Sequence, residues 1–554
     1  MSKSLIEYIY QHEKERGDQP FLNQPFGERW EAYTWAETCD KARRLAAWLK
    51  KTCGKEKAHI GLVSKNCREW VIADIAIMMA GYVSVPFYPN LKGKELKAVL
   101  ELGDVDLLLV GKVENWEDMQ TGVADSLPIG KFPHYKGNPV IDRGTEWEEI
   151  MSEPPMEGDV IPDPDDTWSI IFTSGTTGTP KGALFKHHKL KDVISMPLTD
   201  YYLKLDANQE NRFFSYLPAN HIAERVNSIM AMRFAAEVYF AESLETFAKN
   251  LQEASPTFFV AVPRILTKFK QGVLAKMPQE KMDKMLRIPI LNNIVRTKIK
   301  KALGLDKAKM VICGAAPLTA NDVKWWVKLG IPLSETYGQT ETFAFATYAP
   351  VGGMKPGKVG MPHEGMEMKI AEDSNEILLK SPILMNGYYK DPERTAETIK
   401  DGWLHTGDAG KLHEDGYFSI TGRVKDTFKT EKGKFIIPNK VEERFSLNTD
   451  IEQMCLLGLG MPQPVMVVVP SENATKKSKE ELHKSLEGTL NSVNQDLPNY
   501  TRVSTIVVAG EPFTPENGLL TPTMKVKRFN VHERYVDKLR DFHEDAQAVV
   551  WEGN

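Results

Sequence analysis

Apolar residues recur at helical spacing in two stretches near the start of the chain, residues 4–15 (Leu5, Ile9) and 35–51 (Trp35, Leu45, Trp48, Leu49). Both predict helices that lay one face on a core. Residues 59–64 read as a short buried strand, 82–88 as another, 96–102 as a helix and 105–110 as a third strand. Strand alternating with helix is the pattern of an α/β unit with parallel strands. The most apolar window, residues 70–87, is interrupted by Asp74, Gly81 and Pro86. It predicts a buried helix running into a strand, not a membrane span. Residues 111–166 are acid-rich and end in Pro162-Asp163-Pro164-Asp165-Asp166, so they predict a loose connection.

Beyond residue 182, apolar runs at 213–217, 237–240, 257–262 and 310–312 alternate with helical segments and predict a second α/β unit continuing the first. The Lys- and Met-rich stretch 268–301 predicts a solvated helical insertion, with a membrane-surface contact as the alternative. Short strands follow at 376–379, 417–421 and 435–437. From about residue 425 the pattern becomes a small β/α unit, with strands near 454–459, 465–469 and 505–509 and helices near 479–495 and 531–546. A domain boundary is expected at 423–426.

Composition narrows the class. The chain has 554 residues, enough for several structural units, with 42% hydrophobic and 26% charged residues, as in an ordinary globular protein. A net charge of -5 argues against nucleic acid as a partner. The five cysteines (39, 53, 67, 313, 455) are odd in number and lack a C-x-x-C pair, so reduced thiols in a cytoplasmic protein are expected, with no zinc site. The first sixteen residues carry three glutamates and no apolar core of signal-peptide length.

The chemistry centres on residues 170–182, I-I-F-T-S-G-T-T-G-T-P-K-G. A strand-like lead-in gives way to glycines at 175, 178 and 182, where backbone can approach an anion, to hydroxyls (Thr173, Ser174, Thr176, Thr177, Thr179) and to Lys181. Pro180 before the lysine and Gly182 after it exclude a Walker loop. A phosphate loop is expected; the plain alternative is a Gly/Thr linker. Tyr337-Gly338-Gln339-Thr340-Glu341 offers an aromatic face, a glycine, a hydroxyl and a hard oxygen ligand suited to magnesium, or equally a turn and helix cap. Asp408, after Gly407, is an acceptor fit for a ribose diol, or a turn aspartate. Residues 520–528, L-T-P-T-M-K-V-K-R, taken alone read as a charged turn.

In this order along one chain, these segments resemble the adenylate-forming superfamily of acyl-CoA synthetases, adenylation domains and firefly luciferase. The general markers are residues 173–182, Y-G-Q-T-E at 337–341, H-T-G-D at 405–408 and G-R-V-K-D at 422–426. L-P-x-x-H-I-x-E-R-V at 217–226, A-V-P-R at 261–264 and residues 520–528 resemble the long-chain fatty acyl-CoA synthetases in particular. The resemblance implies an α/β fold. A large N-terminal domain, residues 1–424, would comprise mixed α/β subdomains, two layered sheets plus a small β-barrel. A small mobile α+β C-terminal domain, residues 425–554, would follow, with its hinge at Lys425.

The resemblance also implies ATP, Mg2+ and coenzyme A as cofactor and co-substrates, and a medium- or long-chain fatty acid as substrate. Thr173, Ser174, Gly175, Thr176, Thr177, Gly178 and Lys181 would hold the β- and γ-phosphates. Gly314, Ala315, Ala316 and Tyr337 would bracket adenine, Gly338 would belong to the same nucleotide site, Thr340 would lie near the α-phosphate, and Glu341 would bind magnesium. Asp408 and Arg423 would hold the ribose, Lys525 would be the catalytic lysine with Lys527 as contender, and His221 would stand beside the acyl site or serve the fold alone. The usual residue before the catalytic lysine is glycine; here it is Met524. The implied reaction is ligation through an acyl-adenylate, with AMP and pyrophosphate released. Alternatives are an acyl-AMP ligase loading a carrier protein, a luciferase-like oxidase, and a noncatalytic nucleotide-binding protein.

Overall fold

The computed structural model describes residues 3–173, 180–196, 205–314, 318–521, 524–545 and 547–552. Two sheets organise the larger, N-terminal part. In the first, of seven strands, the order is Gly387–Tyr388, Lys181–Lys186, Thr167–Thr173, Val83–Phe87, His59–Val63, Leu107–Val110 and Ile129–Lys131. Its strands from Thr167–Thr173 to Ile129–Lys131 pair in parallel, as the strand and helix alternation predicts. The second, of nine strands, has a parallel centre built from Leu333–Tyr337, Met310–Cys313, Phe258–Ala261, Arg212–Ser215, Glu237–Phe240 and Pro20–Phe26.

The helix Arg68–Met79 lies between the two sheets, touching Val83–Phe87 of one and Pro20–Phe26 of the other, and all twelve of its residues are buried. A helix apolar on every face needs such a place. Its one central acid, Asp74, meets Arg225 of the helix Ile222–Arg233 at 2.6 Å. The guanidinium also sits over the rings of Trp168 (4.4 Å) and Trp70 (5.2 Å), and Ser84 donates to Asp74 at 2.9 Å. Buried charge persists only when paired in this way.

A third, five-stranded antiparallel unit contains Glu367–Ile370, Glu376–Lys380, Ile399–Lys400, Trp403–Leu412 and Phe418–Arg423. The smaller C-terminal part is a four-stranded sheet, Ile451–Leu457, Val465–Pro470, Thr505–Val508 and Val549–Trp551, covered by helices that include Lys479–Gln495. That helix begins with a capping box, Ser478 with Glu481, which fixes its start.

Two stretches differ from expectation. Residues 20–34, to which the pattern assigned nothing, form the antiparallel pair Pro20–Phe26 and Arg29–Thr34 at the edge of the nine-stranded sheet. Residues 111–166 are not wholly loose: they hold the strand Ile129–Lys131 and the short helices Trp116–Met119 and Trp147–Ile150, each anchored by a buried tryptophan. The insertion 268–301 is helical as expected, formed by the three helices Pro263–Lys276, Gln279–Leu286 and Pro289–Ala302.

Candidate active site

The opening segment is a strand, a loop and a returning strand. Thr167–Thr173 and Lys181–Lys186 pair antiparallel, with Thr173 opposite Lys181 and Phe172 opposite Gly182. Ser174, Gly175, Thr176, Thr177 and Gly178 lie outside the described residues, as do Ala315 and Ala316. Gly182 departs from expectation. It sits within the returning strand, where an added Cβ would come within 2.6 Å of Ile170, so sheet packing and not an anion requires it.

Lys181 is held at the mouth of this hairpin. Its Nζ lies 2.8 Å from Glu341 Oε1 and donates to the Tyr388 hydroxyl at 2.6 Å, while the ammonium stands 4.6 Å from the Tyr388 ring centre. Tyr388 donates in turn to Glu341 Oε1 at 2.6 Å. The carboxyl of Glu341 is buried; desolvation pushes its pKa up, but the Lys181 charge and the bonds from Lys181 and Tyr388 hold it below the ordinary value. It is therefore a carboxylate at neutral pH.

Glu341 owes its position to a tight reversal. The turn Thr340–Thr342 follows the strand Leu333–Tyr337, and Phe343 and Ala344 take φ of 51° and 60°. A Cβ on Gly338 would collide with the Ala344 carbonyl, so only glycine lets the two backbones pass. Thr340 sits half-buried in this turn. Gly314, at the end of Met310–Cys313, faces Thr336, whose methyl would be 3.0 Å from an added Cβ.

The other end of the 337–341 segment meets Asp408. Tyr337 donates its hydroxyl to Asp408 Oδ2 at 2.7 Å, Gln339 Nε2 donates to the same oxygen at 2.7 Å, and Arg423 binds Oδ1 at 2.7 Å. Asp408 and Arg423 are cross-strand partners in the five-stranded unit. Glu376 sets the turn that presents Asp408: it accepts from Gly407 N at 2.7 Å and pairs with His405 Nδ1 at 2.9 Å, while Gly407 takes φ of 70°. A carboxylate has about four lone-pair sites, so three donors leave Asp408 capacity for a further hydroxyl.

Lys525 comes to this place from the C-terminal part. Leu520 and Val526 form an isolated antiparallel bridge, and Lys525 N donates to Thr521 Oγ1 at 3.0 Å. Met524 takes φ of 64°, the left-handed conformation that glycine adopts without strain. The Lys525 side chain is exposed to solvent at its surface, yet protein crowds it. Desolvation there lowers its pKa below the usual lysine value, opposed by the nearby Asp408 and reinforced by Arg423.

His221 lies near enough to Lys525 to feel its charge. It caps the helix Ile222–Arg233, accepting from Ala223 N at 3.2 Å through Nδ1. Burial, then the Lys525 charge, depress its pKa to about 4, so the ring is neutral at pH 7. The cap gives the ring a structural role in starting that helix. Lys425 lies in an exposed turn just past Phe418–Arg423, where Val424 N donates to Gly407 O at 2.8 Å.

The segment 337–341 therefore joins two charged clusters, Lys181/Glu341/Tyr388 and Asp408/Arg423/Gln339, with Lys525 and His221 beside the second. Sequence reasoning missed Tyr388, Gln339 as a partner of Asp408, Glu376 and the Asp74–Arg225 pair. An acid isolated in the apolar run 70–79 was a usable sign of the last; Gly387-Tyr388-Tyr389 carries no local sign of chemistry.

Among the described residues no cluster of three or more His, Cys, Asp and Glu is fit to hold a metal ion. Magnesium commonly takes one or two carboxylates and completes its shell with water and substrate phosphates. The buried, ionised Glu341 beside Lys181 fits that role.

Comparison with known proteins gives concordant matches. The AMP-binding enzyme model matches residues 9–389, and that of the AMP-binding enzyme C-terminal domain matches 425–547. A long-chain-fatty-acid–CoA ligase 5 of Rattus norvegicus is 29% identical over 95% of this chain and 85% of its own length. A fatty acyl-CoA synthetase B of Dictyostelium discoideum is 27% identical over 93% and 85%. Among solved structures, the adenylation domain of a carboxylate reductase from Mycobacterium chelonae superposes with a TM-score of 0.79 at 22% identity, covering 98% of this chain and 91% of that one. An anthranilate CoA ligase bound to anthranoyl-AMP gives 0.74 at 19%, covering 96% and 97%. At those identities the structures speak for the fold.

Proposed function

Because the chain belongs to the AMP-binding enzyme family, we propose that it ligates a medium- or long-chain fatty acid to coenzyme A through an acyl-adenylate, releasing AMP and pyrophosphate. The observation that carries this reading is the meeting of two charged clusters on residues 337–341 with a lysine delivered from the C-terminal part. The named activities of the rat and Dictyostelium relatives support the acyl and thiol substrates.

In the first step a carboxylate oxygen attacks the α-phosphorus of ATP, and the bond from that phosphorus to pyrophosphate breaks. Both partners are anionic, so the chain must cancel charge. Lys525 is assigned to the developing charge at the α-phosphate, and Thr340 to a hydrogen bond beside it. Asp408 with Arg423 receives the ribose hydroxyls, Tyr337, Gly314 and Gly338 flank the base, and Lys181 with residues 173–178 grips the leaving pyrophosphate. Mg2+ bound by Glu341 would neutralise phosphate oxygens. In the second step the coenzyme A thiolate attacks the acyl carbon, the bond to the adenylate oxygen breaks, AMP leaves, and the thiol proton is released to solvent. We take 1–424 as the substrate-holding domain and 425–554 as a domain that turns about Lys425, withdrawing Lys525 between steps.

A panel of acids of increasing chain length, scored for AMP and acyl-CoA with and without coenzyme A, tests this. AMP and thioester formation from a long or medium chain supports it. Transfer only to a carrier phosphopantetheine, light emission, or no AMP from any acid would overturn it in favour of the respective alternative.

A further inference from the structure

The helical insertion carries a feature that ligase chemistry leaves unused. Its last two helices, Gln279–Leu286 and Pro289–Ala302, form a hairpin that buries Met282, Leu286, Val295 and Ile299 against the body of the protein. The opposite face is exposed and ordered in type. Ile288 at the turn is 49% exposed, Ile290 77% and Ile294 57%, so three large aliphatic side chains crowd the tip. Ile290 and Ile294 are one helical turn apart, and the same stripe continues through the exposed Asn293, Thr297, Lys298 and Lys301. On the neighbouring helix Lys281 and Lys284 are exposed, and Arg287 completes the turn.

From 279 to 302 there are seven Lys and Arg and two acids, in a chain whose net charge is -5. Of the two acids, Asp283 is paired with Lys328 and hydrogen-bonded to Gln279, which leaves Glu280. Lys300 and Arg296 point back to carbonyls at Gly330 and Lys328. Lys281, Lys284, Arg287, Lys298 and Lys301 remain as an exposed cationic collar on the two helices behind the isoleucine tip.

We propose that this hairpin tip docks the protein on an anionic lipid bilayer, with Ile288, Ile290 and Ile294 entering the headgroup boundary and the collar lying on the lipid phosphates. Three features favour a bilayer over a protein partner. The apolar part is a convex tip, not a groove. Its side chains are three isoleucines and, in the collar, four lysines to one arginine, with no Trp or Tyr, where protein hot spots favour Trp, Tyr and Arg. The cations are divided between the two arms of the hairpin, Lys281, Lys284 and Arg287 on one and Lys298 and Lys301 on the other, matching a diffuse surface charge better than a point ligand. Aliphatic residues set beside a basic face are the makeup of interfacial helices. The docking does not depend on which acid the enzyme activates.

Cosedimentation of the full chain with extruded vesicles tests it. Binding is expected to phosphatidylcholine vesicles containing about a third phosphatidylserine and to weaken steeply with added salt, since screening shortens the reach of the collar. Each cation near such a surface contributes about 1 kcal/mol, roughly fivefold. Lys298→Glu with Lys301→Glu should therefore lower the partition coefficient by about twentyfold or more, and Ile290→Asp with Ile294→Asp by at least about tenfold. Both double variants should keep the wild-type melting temperature. Failure of the wild type to bind acidic vesicles, or binding unchanged in both variants, would overturn the proposal. So would loss of a dimer in Ile290→Asp with Ile294→Asp, seen by sedimentation velocity without vesicles, because it would assign the tip to a second copy of the chain.

Discussion

Tyr388→Phe removes a single oxygen from the centre of the Lys181/Glu341/Tyr388 cluster. That hydroxyl touches both Lys181 Nζ and Glu341 Oε1 at 2.6 Å. The ring that the ammonium overlies stays in place, so the cation–π contact survives and packing is little changed. A hydrogen bond to a charged group contributes about 1.5–3 kcal/mol, so acid-dependent ATP/pyrophosphate exchange should fall roughly ten- to a hundredfold, with thermal stability changed much less. The pH profile should move as well. Glu341 is held below its ordinary pKa in the fold, so its carboxylate contributes stability above the unfolded pKa and loses it as pH falls through the folded one. Without the Tyr388 donor the folded pKa rises, and the acid edge of activity should shift to higher pH. Exchange within twofold of wild type and an unmoved acid edge would refute the assignment of Tyr388 as the residue that positions Lys181 and Glu341.

Other substitutions probe the scaffold around the site. Asp74→Ala leaves Arg225 buried without its partner and should destabilise the chain by about 3–5 kcal/mol, visible in urea unfolding, whereas Asp74→Ala with Arg225→Leu should cost less than Asp74→Ala alone. Met524→Gly removes a left-handed side-chain strain of about 1–2 kcal/mol against a glycine entropy cost of about 0.5–1, so a modest gain in the melting temperature of the C-terminal part is expected. His221→Asn keeps the helix cap and His221→Ala loses it, so only the alanine should cost about 1 kcal/mol in stability. Since His221 is already neutral at pH 7, its ring resonances should show no titration between pH 6 and 8 by NMR.

Much of this was readable from local pattern. The helix Lys479–Gln495 carries its own capping box and periodicity, and the central strands of both sheets are continuous apolar runs bounded by turns. The site was legible where the chain concentrates it, in residues 337–341 and 405–408, because glycine, hydroxyl and carboxylate are adjacent there. What escaped was non-local. Tyr388 acts on residues 207 positions earlier and 47 earlier, and no window along the chain brings them together. The edge pair at residues 20–34 contains Pro20 and Pro25, which weaken a strand reading, and gains its place only by pairing with Glu237–Phe240. Gly182 looked like part of an anion cradle and is instead a packing residue under Ile170, a distinction that requires the sheet register.

The most direct test separates the two half-reactions in Lys525→Ala, with Lys527→Ala beside it. We expect Lys525→Ala to lose acid-dependent ATP/pyrophosphate exchange by about 3 kcal/mol or more, over a hundredfold, while still forming thioester from presynthesised acyl-AMP and coenzyme A. Lys527→Ala should retain exchange. Undiminished exchange in Lys525→Ala together with its loss in Lys527→Ala would contradict the placement of the catalytic cation beside Asp408 and Arg423.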